Sequence, residues 1–314
     1  MDQAPRELDL ICADFNAALT LLRSLGARLD SIYPADEPHS AVLSHDGTTF
    51  RLRSRADAPA APGTLPDFRP EFLVMSAGAD AAEGRAGMLY RDLIPSRLGG
   101  RYIASHIRID EDGPVADWVH FHRIAVQLIC VRKGWVRVVY QDQGESFVME
   151  AGDMVLQPPG IRHRVLESGG GLEVVEITCP ALHETFAEHD MTLPNGLAPG
   201  GPYGGQRFVH HVAATAPWRA WHGGEAQATG MGDASGGLID ACIVRPDAQA
   251  ALDVPAHDGE LVFGFALEGS ARLGEDQPLG PADSFVIPPG EAWRLHDASG
   301  DFRLLHVTTA RLPA

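Results

Sequence analysis

A chain of 314 residues in which 45% of side chains are hydrophobic is long enough for about two or three domains with packed cores. Its 42 acidic against 25 basic residues give a formal net charge of -17, which disfavours nucleic acid and anionic membranes as partners and points to a small molecule instead. The opening MDQAPRELDLICADF has no basic segment leading into an apolar run, no stretch approaches membrane-spanning length, and Cys12, Cys130, Cys179 and Cys242 form no CxxC, so a cytoplasmic protein with reduced thiols is expected.

Residues 1–55 form a first unit. Glu7 to Ile11 reads as a strand, and Asp14 can cap a helix whose apolar positions Phe15, Ala18, Leu19, Leu22 and Leu25 recur at helical spacing before Gly26 ends it. Strand-like runs follow at Arg28 to Tyr33, Ser40 to Ser44 and Thr48 to Leu52, separated by PADEP and HDG turns. This β-α-β-β-β order, led by FNAALTLLRSLGARL, resembles one module of the vicinal oxygen chelate (glyoxalase-like) superfamily. That superfamily builds its metal site from paired modules. With one module visible, Asp9, His39 and His45 are read as surface or turn residues, and packing or dimerisation as the module's role.

Residues 56–87 are rich in Ala, Pro, Gly and Asp and read as a linker, with Phe72 to Met75 a short docking strand inside it. Order resumes at Tyr90, where RDLIPSRLGGRYIASHIRI supplies two extended segments around Gly99-Gly100. His106 belongs to no ligand pattern and is read as structural.

The segment from Asp117 to Val165 carries the chemistry. In an extended strand His120 and His122 share a face, whereas Gln127, an odd number of residues further on, cannot join them without a turn or bulge between Arg123 and Ala125. Gly134 is expected to close the next strand, and Gly152-Asp153 and Pro158-Pro159-Gly160 bracket the apolar run Met154 to Leu156. The Pro-Pro-Gly turn then delivers His163 at the start of another strand. Three imidazoles and one amide oxygen are enough to hold one metal ion, and bringing them together from three antiparallel strands requires a small barrel.

These residues resemble the cupin superfamily. Its first motif stands here as His120, His122, Gln127 and Gly134, and its second as Gly152, Pro158, Gly160 and His163. Gln127 occupies a place where most members have Glu, and Glu167 one where many have Asn.

After His163, Gly171 to Thr178 reads as the strand completing a barrel at 88–190, and HETFAEHD as a short surface helix carrying His183, Glu184 and His189. LPNGLAPGGPYGGQ connects onward, giving a linker at 191–206. Residues 207–314 repeat the barrel: LEGSARL echoes VRKGWVRV, and ADSFVIPPGEAWRL echoes GDMVLQPPGIRHRV. Ungapped superposition sets Pro255, His257, Val262 and Trp293 opposite His120, His122, Gln127 and His163, so the second barrel is expected to lack a metal. The fold class is therefore mainly β: two cupin-type barrels (double-stranded β-helix, jelly roll) behind a β-α-β-β-β module.

Uncharged ligands leave a divalent ion its full charge, which suits anionic or chelating substrates, and four protein ligands on an octahedral ion leave two positions open. The resemblance implies a non-haem dioxygenase acting on an aromatic, enol or diketone-like compound, with Fe(II) or else Zn, Ni, Mn, Co or Cu at His120, His122, Gln127 and His163, and with Gln127 also contacting bound water or dioxygen. A metal-dependent isomerase, cyclase or decarboxylase without redox chemistry is the alternative, with Tyr140, Glu173 and Glu176 on barrel strands; a non-catalytic binding module is the third. Arg123, Arg132 and Arg162 are read as solvated. A homodimer is expected from the family.

Overall fold

The structure is a computed structural model that describes residues 7–34, 38–55, 65–78, 81–83, 88–196, 201–247 and 251–312. Parts of both expected linkers, 56–64, 79–80, 84–87 and 197–200, lie outside those residues.

In the N-terminal unit Asp14 accepts a hydrogen bond from Ala17 N at 3.0 Å and starts the helix Phe15–Ser24, and Gly26, at φ +94°, ends it. The strand Glu7–Cys12 runs parallel to Thr48–Ser54, while Ser40–His45 pairs antiparallel with both Thr48–Ser54 and Arg28–Tyr33. Phe15, Leu29, Ile32, Leu43 and Leu52 form the small core beneath them. Asp9 pairs with Arg53 at 3.0 Å, and His45 Nδ1 lies 3.1 Å from Gly26 O, both contacts of the unit's own scaffold.

This sheet does not stop at the unit's edge. Arg28–Tyr33 pairs with Thr185–Ala187, which pairs in turn with His120–His122. The segment HETFAEHD therefore contributes the strand Thr185–Ala187 and not a surface helix. Two strand edges flank it and take its backbone hydrogen bonds, and this tertiary demand overrides a weak local helical preference.

The first barrel continues through Val126–Tyr140 and His163–Cys179, the two long strands that form its back. Gly134 does not close a strand: it lies within Val126–Tyr140, at a bulge marked by register shifts between Val131 and Trp135. At φ +71°, with Gly169 O only 2.5 Å from where a Cβ would stand, the position accepts glycine alone.

The second barrel is built from two sheets. One contains Ile239–Pro246, Val262–Glu268, Ser284–Ile287 and Arg303–Thr309, the other Leu252–Val254, Ala271–Leu273, Gln277–Leu279 and Trp293–His296. Val244, Phe285, Leu295, Phe302 and Leu304 fill the space between them.

The barrels are laced together reciprocally. Leu73–Met75, which precedes the first barrel, pairs with Ser284–Ile287 of the second, fulfilling the docking strand expected there. Val209–His211, at the start of the 207–314 unit, pairs with Met154–Leu156 of the first barrel. Equivalent aspartates secure both crossings. Asp153 accepts from Glu150 N and Ala213 N, at 3.0 and 2.9 Å; Asp283 accepts from Gly280 N and Ala77 N, at 2.7 and 2.6 Å. The apolar layer between the barrels includes Leu128, Met154, Ile177, Phe263, Phe265 and Val307, and within it Arg101 makes a two-pronged pair with Glu260 at 2.8 and 2.9 Å. Tyr102 Oη and Leu312 N also donate to Glu260.

Candidate metal centre

His120 and His122 lie on the strand His120–His122, and His163 opens His163–Cys179 directly across from His120. The backbone leaves strand geometry at 123–125 before Val126–Tyr140 begins, the break in parity that the sequence required for Gln127. All three histidines are buried, and one ring nitrogen from each falls within 4.8 Å of the others.

The outer side of each ring explains its orientation. His120 Nδ1–H donates to Trp118 O at 2.7 Å and His163 Nδ1–H to Ile161 O at 3.1 Å, because a carbonyl can only accept. His122 Nδ1 lies 2.9 Å from Thr185 Oγ1. Nε2 is thus the nitrogen each ring can offer a metal, with the tautomer set from behind as in imidazole metal sites generally. Asp117 Oδ1, 3.6 Å from His120 Nδ1, adds negative charge behind that ring, and Asp117 Oδ2 accepts from Val165 N.

Gln127 is buried, and its Oε1 accepts from Gln157 Nε2 at 2.6 Å. Gln157 Nε2 also lies 3.2 Å from His163 Nε2, and Gln157 Oε1 accepts from Tyr140 Oη at 2.9 Å. Tyr140, stacked 5.5 Å from the His163 ring, has its phenol pKa pushed well above the ordinary value by burial and stays protonated. The donor set suits a divalent ion: three neutral imidazoles, and an amide carbonyl that retains a second lone pair.

No protein-family model matches the sequence, and no curated protein matches it. Solved structures do match in fold. A structure of oxalate decarboxylase from Bacillus subtilis at pH 4.6 aligns over 80% of this chain and 78% of its own, with TM-score 0.56 and 14% identity. A structure from work on the Mn(II) centres of the same enzyme aligns over 80% and 79%, again with TM-score 0.56 and 14% identity. The chain has the cupin fold. The likeness lends no support to the glyoxalase-like reading of residues 1–55.

Within the cupin frame several expectations shift. His183 is buried, not at the surface: its ring lies 5.4 Å from His122, edge to face, and its Nδ1–H donates to Pro180 O. His106 is structural as expected, held between Arg91 and Glu173. Arg132 is largely buried and paired with Glu173, so it is not solvated. Arg162 lies over the Phe121 ring and pairs with Glu188, and Arg123 pairs with Glu184. Glu167 turns to Arg137.

Gln157, Thr185 and Asp117 escaped the sequence reading. An amide closing the otherwise apolar run MVLQ was the available signal for Gln157. Thr185 carried none, because its place depends on a strand pairing that local sequence does not specify.

Proposed function

We propose that this protein is a metal-dependent cupin enzyme whose His120, His122 and His163 hold one divalent first-row ion, with Gln127 Oε1 as a fourth donor, and that it decarboxylates or isomerises a small chelating anion. The observation that carries this reading is the neutrality of the donor atoms: among the described residues no carboxylate oxygen falls in the cluster with the three imidazole nitrogens, Asp117 lying behind His120 on its Nδ1 side, and the polar groups beside the cluster are the amides Gln127 and Gln157. An ion held by uncharged donors supplies Lewis-acid polarisation of a carboxylate or carbonyl oxygen at its full charge.

The chain's own residues orient the site. Tyr140 Oη fixes the Gln157 amide, Gln157 fixes Gln127, and Thr185, Trp118 O and Ile161 O fix the three rings. Burial excludes bulk water from the imidazoles and strengthens their interaction with a charged ligand. The likeness in fold to an oxalate decarboxylase with Mn(II) centres supports a decarboxylase reading over the dioxygenase expected from the sequence, and adds Mn(II) to Fe(II) among the ions to load first.

The test is turnover of a panel of dicarboxylates, β-diketones and hydroxybenzoates by protein loaded with Mn(II), Fe(II) or Co(II), with and without dioxygen. Carbon dioxide release or isomer formation under anaerobic conditions is the expected result. Dioxygen uptake matching substrate consumption would assign the dioxygenase instead, and a loaded protein with no turnover would leave a binding module.

The division into units 1–55, 88–190 and 207–314 belongs to this proposal, as does kinship of the first unit with vicinal oxygen chelate modules, which rests on its β-α-β-β-β order. Homodimerisation is supported by Leu8 and Ile11, exposed on the edge strand Glu7–Cys12.

A further inference from the structure

The second barrel keeps the backbone of the metal centre while replacing its side chains. Gly160 N donates to His122 O at 3.2 Å, and Gly290 N donates to His257 O at 2.8 Å, so His257 holds the backbone place of His122. Its ring is engaged elsewhere, with Nε2–H donating to Ile287 O at 3.1 Å. The Pro-Pro-Gly turns correspond, which puts Ile287 in the place of Gln157 and Trp293 in that of His163.

These replacements leave room. A cavity of about 300 Å³ is lined by Trp221, Cys242, Val254, Val262, Trp293 and His306, among others. His306 stands between two indoles, its ring 5.1 Å from Trp221 and 5.5 Å from Trp293. It is 7% exposed; Cys242 Sγ lies 3.8 Å from its Nδ1, and its Nε2 has no hydrogen-bond partner among the described residues. Trp293, 6% exposed, has an equally unpartnered Nε1–H. Buried polar groups without partners cost stability, and Phe or Leu would pack the same volume without that cost. Both residues line the cavity, so a ligand there supplies the partner that each lacks.

The wall also specifies the ligand. Indole faces favour a flat ring. Burial lowers the His306 pKa to about 4, so at neutral pH the ring is uncharged and can either donate or accept. Asp240 is the one carboxylate on the wall; it is exposed, and its Oδ1 already accepts from Gly232 N and Ala241 N. A wide surface depression shares Val254, Pro255 and Trp293 with the cavity and provides a way in. From this geometry we infer that the second barrel is a binding site for a small, uncharged, single-ring compound bearing a hydroxyl or carbonyl oxygen, packed against the adjoining Trp221 and Trp293 indoles, whose centroids are 6.4 Å apart, with its oxygen on His306 or Trp293. This site is separate from the metal centre and does not rest on the function proposed for it.

Titration calorimetry of the full chain with phenol, 4-hydroxybenzaldehyde and tetramethylammonium tests the inference. We expect 4-hydroxybenzaldehyde to bind with Kd of about 0.1 to 1 mM. Ala256→Trp, at an exposed residue of the cavity wall, should weaken binding at least about tenfold by filling the space, at unchanged metal content and Tm. His306→Phe, which keeps an aromatic ring, should weaken it by about tenfold. No binding of either ring compound, preference for tetramethylammonium, or binding untouched by Ala256→Trp would each overturn the proposal. Loss of binding on His122→Ala with Ala256→Trp silent would move the ligand to the metal centre.

Discussion

The two barrels share a scaffold and differ in what they enclose. Gly134 and Gly269 take positive φ of +71° and +68° at corresponding positions, one at the bulge within Val126–Tyr140 and the other just past Val262–Glu268, and Asp153 and Asp283 cap corresponding turns. Inside, one barrel gathers three imidazoles and two amides, while the other carries Pro255, His257, Val262, Ile287 and Trp293 at the matching places. The glycines and aspartates answer to backbone geometry, which both copies need. The interior residues answer to a ligand, and there the copies diverge.

The largest expected effect breaks that comparison outright. His122→Ala should reduce metal content from about one ion per chain to under about a tenth, while His257→Ala leaves it unchanged; elemental analysis of protein prepared without a histidine tag measures both, and equal loss in the two variants would refute the contrast. Next comes the seam. Glu260→Ala leaves Arg101 unpaired in the layer between the barrels and should cost about 3–5 kcal/mol in urea unfolding. Loss of one barrel's signal ahead of the other would show that the seam does not couple them.

Thr185→Val removes the hydroxyl beside His122 Nδ1 and should weaken metal affinity about 10–100-fold at nearly constant stability, measured by competition with a chelator. The smallest effect concerns Glu173, whose pKa is held at about 2, below the carboxylate norm, by its hydrogen bond from His106 and by Arg132. A depressed folded-state pKa contributes stability that is complete above about pH 4.5 and is lost as pH falls toward 2. Glu173→Gln should therefore cost about 1 kcal/mol near neutrality and flatten that acid limb in a Tm-against-pH profile. An unchanged acid limb would mean that this pair does not set it.

How much of this was legible depended on whether a local pattern or a distant partner decided each element. The histidine spacing, the break before Gln127 and the Pro-Pro-Gly delivery of His163 are short-range features, and the sequence displayed them. The strand at Thr185 was not legible because HETFAEHD has no apolar alternation strong enough to exclude a helix; its backbone is committed by edges from residues 28–33 and 120–122. Gly134 was legible as a special position but not as a bulge, since a turn and a bulge ask for the same positive φ. Gln157 was passed over, since it stands between the apolar run Met154 to Leu156 and the Pro-Pro-Gly turn and belongs to no ligand pattern. The cavity around His306 was reached only in part: superposition of the repeats gave the loss of ligands, but the two tryptophans that face one histidine come from strands far apart in the chain.

The reciprocal strands bear on how the chain is made. Ala77 and Asp283 are joined by a hydrogen bond although 206 positions separate them, so during synthesis Leu73–Met75 emerges long before the strand that will pair with it. An apolar strand left waiting with an open edge is a hazard for association between nascent chains. The residues just ahead of it, Pro66, Asp67, Arg69, Pro70 and Glu71, supply the prolines and charges that protect such an edge. The segment that reads as an unstructured linker thus also guards the interval between translation of the first barrel and completion of the second.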